Sequence, residues 1–231
     1  IILIVLSLFA LTTINAQDDC STYSTFSGET MSTITQACFK SIPETVFSTI
    51  TAAQVANMQT SSSNNQCSLL SAKQFSNIPV NSLKQGSQAS TTGLQYGCSS
   101  KFNDDAVSLI SGNQVQAIAP IVFANIPVNA FKKIPSDAFT TLTPEQTANM
   151  RSSSENNQCA ALSAKQFSNI PVKSLKQGSP SQSTGLQYGC SSKFNDDAVS
   201  SISSDQLKAI APSVFANIPV NAFKKIPSDA F

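Results

Sequence analysis

The sequence predicts an all-α fold, a solenoid-like stack of short capped helices with disulfide-tied loops. Three observations lead there. A 92-residue unit recurs almost unchanged, an eight-residue apolar period runs inside it, and a helix-capping signature keeps step with that period.

The long repeat comes first. Residues 67–139 lie on residues 159–231 at an offset of 92 without gaps, and they differ at 13 of the 73 positions. Upstream, Ile134-Pro135 to Cys159 aligns more divergently with Ile42-Pro43 to Cys67. The chain divides accordingly into 1–16, 17–66 (an N-terminal cap and the end of a first unit), 67–158 (a complete unit) and 159–231 (a second, truncated unit). The motif Ile-Pro-Ser-Asp-Ala-Phe closes the chain at Phe231, but at Phe139 it continues into Thr-Thr-Leu-Thr, so the array is expected to run on.

Inside the unit, Ile110, Ile118, Ile126, Ile134, Leu142 and Met150 recur every eight residues, and so do Val107, Val115, Phe123, Phe131 and Phe139. An unbroken α-helix turns about 100° per residue, so eight residues over-rotate by about 80° and the apolar stripe wanders. In a strand the two apolar places of each octad, three or five residues apart, fall on opposite faces. A short helix interrupted once per octad satisfies both series.

The interruption is written in the residues. Thr51/Gln54, Ser71/Gln74, Ser111/Gln114, Thr143/Gln146, Ser163/Gln166 and Ser203/Gln206 all have the S/T-x-x-Q spacing of a capping box. Pro144 stands at the first helical place, which suits a residue without an N–H. Pro79, Pro127 and Pro135 push Ile78, Ile126 and Ile134 out of the α region. Helices this short are unstable alone, so stacking of apolar residues on neighbouring octads must hold them. Differences between the two copies mark the faces. Leu109 becomes Ser201, Ile121 becomes Ser213 and Leu69 becomes Ala161, all outside the recurring places, whereas Val115 becomes Leu207 and stays aliphatic.

Two kinds of segment break the octads. Gln59–Gln66 and Arg151–Gln158 read as polar loops. Lys84–Lys101 and Lys176–Lys193 are longer, rich in Gly, Ser and Thr, and each holds Gly-Leu-Gln-Tyr-Gly-Cys. Loops carried on a rigid stack are where binding concentrates, so Gln95, Tyr96, Gln187 and Tyr188 form the candidate binding loops. Tyr96 reads equally as a loop anchor.

The six cysteines are Cys20, Cys38, Cys67, Cys98, Cys159 and Cys190. Pairing within units, Cys67–Cys98 and Cys159–Cys190, leaves Cys20–Cys38 for the cap and no orphan. A staggered scheme, Cys38–Cys67 with Cys98–Cys159, strands Cys20 and leaves Cys190 waiting for a further unit. The within-unit scheme is the expectation.

At the N-terminus, the apolar run Ile1–Ala10 is too short to span a bilayer and leads to Ala16 before Gln-Asp-Asp, the pattern of a secretory signal peptide over residues 1–16. It lacks an initiating Met and a basic n-region, so a fragment edge is expected there too. No membrane span is expected after it. An even cysteine count behind such a segment argues for disulfides in a secreted, extracellular chain.

Charge excludes some functions. Lys and Arg number 14 against 13 Asp and Glu, with no basic stripe, so a nucleic-acid partner is not expected. The pairs Lys132-Lys133 and Lys224-Lys225 read as solvated surface. With no histidine and no CxxC, triads and the usual zinc ligand sets are absent, and no metal or cofactor is expected. Asp104-Asp105 and Asp196-Asp197 read as acidic residues in the first turn of a helix capped by Asn103 or Asn195, not as catalytic pairs or a calcium loop. No Asn-x-Ser/Thr sequon occurs.

The motifs Leu142-Thr-Pro-Glu-Gln146, Ile50-Thr-Ala-Ala-Gln54 and Ile134-Pro-Ser-Asp-Ala-Phe139 carry a resemblance. Over most of residues 34–231 the chain resembles a loose group of secreted proteins of microbial eukaryotes with tandem LTxxQ and IPxxAF motifs. That resemblance implies secretion and repetition and supplies no activity. The sequence therefore leads to a non-catalytic extracellular structural or adhesive scaffold, of a cell surface, wall or matrix. Its expected partners are an extracellular protein, a glycan or further copies of itself. A secreted carbohydrate- or protein-binding module using the Gly-Leu-Gln-Tyr-Gly-Cys loops is the alternative. Ice binding ranks lower, because proline interrupts any hydroxyl ladder, and an enzyme ranks last.

Overall fold

The computed structural model describes residues 31–61, 63–83, 93–175, 185–187 and 189–231. The signal-peptide segment 1–16 and Cys20 lie outside them. Within the described residues the chain is a succession of helical pieces of three to six residues. The only strand-like pairings among them are two isolated bridges, Thr60 with Asn65 and Ser152 with Asn157. No helix of the described residues is long and apolar enough to cross a membrane.

Many of the pieces begin or end for a visible chemical reason. All six capping boxes form: the hydroxyls of Thr51, Ser71, Ser111, Thr143, Ser163 and Ser203 accept from the backbone three residues on, and each glutamine answers to the cap's N–H. Pro120 and Pro144 occupy the first helical place. At the other end the aliphatic residue of the octad leaves the helix in an extended conformation, as at Ile78 (φ −64°, ψ 124°) and Ile126 (φ −57°, ψ 125°). Proline does not account for all of these stops. Ile118 and Leu142 are extended too, although Ala119 and Thr143 follow them. Some octads close with bonds to the third residue back, in 3-10 form, as in Glu44–Thr49 and Ser136–Thr141.

What the octads then do with their capping glutamines is visible only in three dimensions. The Oε1 of Gln146 accepts from the Thr143 N–H at 3.0 Å, and its Nε2 donates to the carbonyls of Val115 and Ile118 at 2.6 and 2.8 Å. Gln74 reaches Ile42 in the same way, Gln114 reaches Ile78, Gln166 reaches Ile134 and Gln206 reaches Ile170. Where the fifth place of an octad holds serine, the hydroxyl takes over: Ser82 donates to Ile50, and Ser174 to Leu142. The carbonyl that accepts belongs each time to the aliphatic residue of an octad 28 to 36 positions earlier. The chain thus returns alongside itself about once every four octads. These glutamines are buried, and a buried amide left unpaired would cost on the order of 1–3 kcal/mol.

The segments read as polar loops work the same way. Gln66 and Gln158 are fully buried, a correction to their reading as loop residues. Gln158 accepts from the Arg151 N–H and donates to the carbonyls of Phe123 and Ile126; Gln66 accepts from Gln59 and donates to Met31 and Ile34. A tight reversal closed by the Thr60–Asn65 or Ser152–Asn157 bridge does for them what a one-turn helix does elsewhere.

The core is one cluster running the length of the described chain. Phenylalanines at octad spacing meet edge to face, Phe123 with Phe131 and Phe131 with Phe139, each pair at 5.7 Å between ring centres. Such geometry adds roughly 0.5–1.5 kcal/mol per pair beyond area burial. Leu109, which becomes serine in the second unit, is 53% exposed, as the comparison of copies requires.

Candidate functional site

The two Gly-Leu-Gln-Tyr-Gly-Cys segments are the candidate site, and both are bolted to the octads. Cys98 is bonded to Cys67 and Cys190 to Cys159, with Cα atoms 5.1 and 5.0 Å apart, which is the within-unit scheme. Cys38 is disulfide-bonded as well. Each closed loop joins residues 31 positions apart, a constraint worth roughly 3–4 kcal/mol on the chain-entropy model.

Glycine opens each segment because nothing else fits. Gly93 has φ +88°, and a Cβ there would stand 2.7 Å from the Ala56 carbonyl oxygen; at Gly185 the figures are +94° and 2.6 Å from that of Ala148. Their N–H groups donate to Met58 and Met150, at 2.9 Å in both units. From Gly93 the chain makes one wide turn, in which the Cys98 N–H reaches back five residues to the Gly93 carbonyl; Cys190 does the same to Gly185. Leu94 and Leu186 are buried beneath it.

Of the four candidate binding residues, Gln187 is described in full, and it faces inward. It is buried, its Oε1 accepts from the Ala211 N–H at 3.0 Å, and its Nε2 points to the Ala209 carbonyl at 3.3 Å. Both ends of the amide are thus engaged with the octads of its own unit, so it acts as a brace. The side chains of Gln95 and Tyr96, and Tyr188 as a whole, lie outside the described residues.

The paired aspartates take a different form from the helical one expected. Asn103 Oδ1 accepts from the Asp105 N–H, and residues 103–110 fold as turns with bonds to the third residue back. The same Asn103 donates from Nδ2 to the carbonyls of Ser68 and Leu70, so it serves as a cross-link as well as a cap; Asn195 repeats this on Ala160 and Leu162. Asp105 pairs with Lys133 at 2.7 Å and Asp197 with Lys225 at 2.6 Å, all four exposed. The hydrogen bond that Lys133 donates to the Asp105 carboxylate raises the Lys133 pKa above the ordinary lysine value, and the one that Lys225 donates to Asp197 raises that of Lys225. Among the described residues no group of three His, Cys, Asp or Glu side chains is placed to hold a metal ion.

In the second unit the segment therefore acts as a brace, with the Gln187 amide spent on the octad of Ala209 and Ala211, and the ion pairs Asp105–Lys133 and Asp197–Lys225 repeat one outward contact in both units. Sequence reasoning missed Gln66 and Gln158, although each directly precedes a paired cysteine, and it missed the second hydrogen bond that Gln74, Gln114, Gln146, Gln166 and Gln206 make. No family model matches this chain, and no curated protein or solved structure matches it.

Proposed function

We propose that this chain is a secreted, non-catalytic repeat scaffold whose octads wind as a solenoid, about four to a turn, and that it serves a structural or adhesive role at a cell surface, wall or matrix. The observation that carries the reading is the repetition of one set of ties. Offset by 92 residues, Asn103 and Asn195, Gln114 and Gln206, and the two disulfides make the same bonds to corresponding partners. Conserving internal links while spending the polar side chains inside suits a rod that sets length and repeats a surface, where valency rather than one tight site gives adhesion.

Disulfides at regular spacing suit an oxidising, extracellular setting. The alternative, recognition of a glycan or protein by the Gly-Leu-Gln-Tyr-Gly-Cys segments, draws no support from Gln187, whose amide is engaged internally. Expression of the tagged chain in a eukaryotic secretory host tests the proposal. The expected result is export to the medium or cell coat, with an elongated profile in small-angle scattering. A compact particle retained in the cytosol overturns it.

A further inference from the structure

Charged side chains on successive passes of the chain line up in a column. Glu44 lies 3.5 Å from Lys73, and Asp105 lies 2.7 Å from Lys133. Asn103 joins these two pairs: its amide donates to the carbonyls of Ser68 and Leu70, so Asp104 and Asp105 lie on the pass next to the one holding Lys73. Lys73 and Asp105 also occupy the same, fourth place of their octads. Lys73, Asp104, Asp105, Lys132 and Lys133 are exposed, and Glu44 is half-buried. Across successive passes the signs run one negative, one positive, two negative, two positive, and they cancel.

A second column repeats this order with Asp137, Lys165, Asp196, Asp197, Lys224 and Lys225, all exposed. Gln166 ties the octad of Lys165 to Ile134, Asn195 ties the octad of Asp196 to Leu162, and Asp197 lies 2.6 Å from Lys225. One difference between the columns is compensated. Glu44-Thr45 aligns with Ser136-Asp137, so the acid has moved by one residue while the octad keeps a single negative charge. Six of the 14 basic and six of the 13 acidic residues stand in these columns, which concentrates the sparse charge of the chain there.

We infer that each column is a docking surface for a second copy of this chain, laid antiparallel. The order of signs decides the orientation. Turned end for end, the column presents two positive, two negative, one positive and one negative group. Every group then meets its opposite: Glu44 meets Lys132 and Lys133 of the second copy, and Lys73 meets its Asp104 and Asp105. Parallel and in register, like meets like. The antiparallel pair has a twofold axis between the pass of Lys73 and that of Asp104 and Asp105. Because a column carries no net charge, copies approach without mutual repulsion, whereas a strongly acidic or basic partner meets as much repulsion as attraction. Each exposed pair contributes little alone, and two columns per chain join copies into larger assemblies by valency. Such docking supplies a partner for the adhesive role proposed above, and the assignment rests on that reading.

The test follows the full chain by sedimentation velocity at about 0.05 M and about 1 M sodium chloride, between which the screening length shrinks several-fold. At low salt the sedimentation coefficient is expected to rise with protein concentration, and at high salt the rise is expected to vanish. A variant carrying Asp105→Lys, Lys133→Asp, Asp197→Lys and Lys225→Asp keeps each intrachain pair but cancels the charge of those passes. It is expected to sediment as a monomer at both salts with its thermal midpoint unchanged. A chain monomeric at low salt, or a variant that associates as the original does, overturns the inference. Carbodiimide coupling in a mixture of isotope-labelled and unlabelled copies reads the orientation. Isotopically mixed links from Lys73 to Asp104 or Asp105 are expected, and mixed links confined to Glu44–Lys73 and Asp105–Lys133 overturn the antiparallel arrangement. An exported, elongated chain that stays monomeric overturns the self-docking alone, whereas a compact chain retained in the cytosol overturns the scaffold reading and this inference with it.

Discussion

The side chain of Gln146 holds two passes of the chain together: it caps the helix begun by Thr143 and donates from Nε2 to the carbonyl of Ile118 at 2.8 Å. A glutamate in its place could close the same cap, because the cap uses only the oxygen. The link to Ile118 needs the nitrogen. Glutamine alone among residues of that length does both.

Replacing that nitrogen is the sharpest test of the arrangement. Gln146→Glu places a carboxylate against two buried carbonyls and is expected to cost about 3 kcal/mol at neutral pH, against about 1 kcal/mol for Thr143→Ala, which removes only the cap. Burial and the facing carbonyls raise the folded-state pKa of the introduced carboxyl above its unfolded value. The penalty therefore shrinks as pH falls through that raised pKa, where the protonated acid donates in place of the amide. Urea denaturation midpoints at neutral and mildly acidic pH measure both effects; equal costs for the two variants would contradict the double role.

Gly93→Ala forces a side chain into left-handed backbone and against the Ala56 carbonyl oxygen. A loss of roughly 1–3 kcal/mol is expected from the strain, and Gly185→Ala should match it. Gly112→Ala meets only the Thr141 side chain, which can rotate at the expense of its hydrogen bond, for a smaller loss on the order of 1 kcal/mol. Thermal midpoints of the three variants should fall in that order.

Non-reducing peptide mass spectrometry should recover Cys67 linked to Cys98 and Cys159 linked to Cys190. Replacing one pair by alanines is expected to lower stability by roughly 3–4 kcal/mol. A recovered Cys98–Cys159 link would rule out the within-unit arrangement.

The exposed pair Asp105–Lys133 gives a pH signature with a definite sign. Because the hydrogen bond to Asp105 raises the lysine pKa above 10.5 in the folded chain, whatever the pair contributes is complete below the unfolded lysine pKa and disappears as pH rises through the folded one. Lys133→Met should leave the thermal midpoint at pH 7 essentially unchanged, since solvent screens exposed pairs. The lysine titration followed by NMR should move back down in Asp105→Asn.

Much of the local structure was legible in the chain itself. The hydroxyl-to-glutamine spacing announces six of the helix starts, and the buried Phe123, Phe131 and Phe139 sit where the octad period places them. Equal cysteine spacing in the two units announces the pairing. Less legible were the segments without octad rhythm. Gln66 and Gln158 look like loop residues because the bond each makes joins it to a residue 32 positions away, and no local pattern encodes such a partner.

The candidate site shows the same division. The glycine of Gly-Leu-Gln-Tyr-Gly-Cys is readable as a turn, but the burial of Gln187 depends on Ala209 and Ala211 arriving from another octad. Sequence by itself placed the six capping-box helix starts, showed which side chains are apolar and favoured the within-unit cysteine pairing, because caps, periods and closed loops act along the chain. Only the tertiary structure decided what the polar side chains are for. A capping amide has a second hydrogen-bonding end, and its partner exists only once the chain has come back alongside itself.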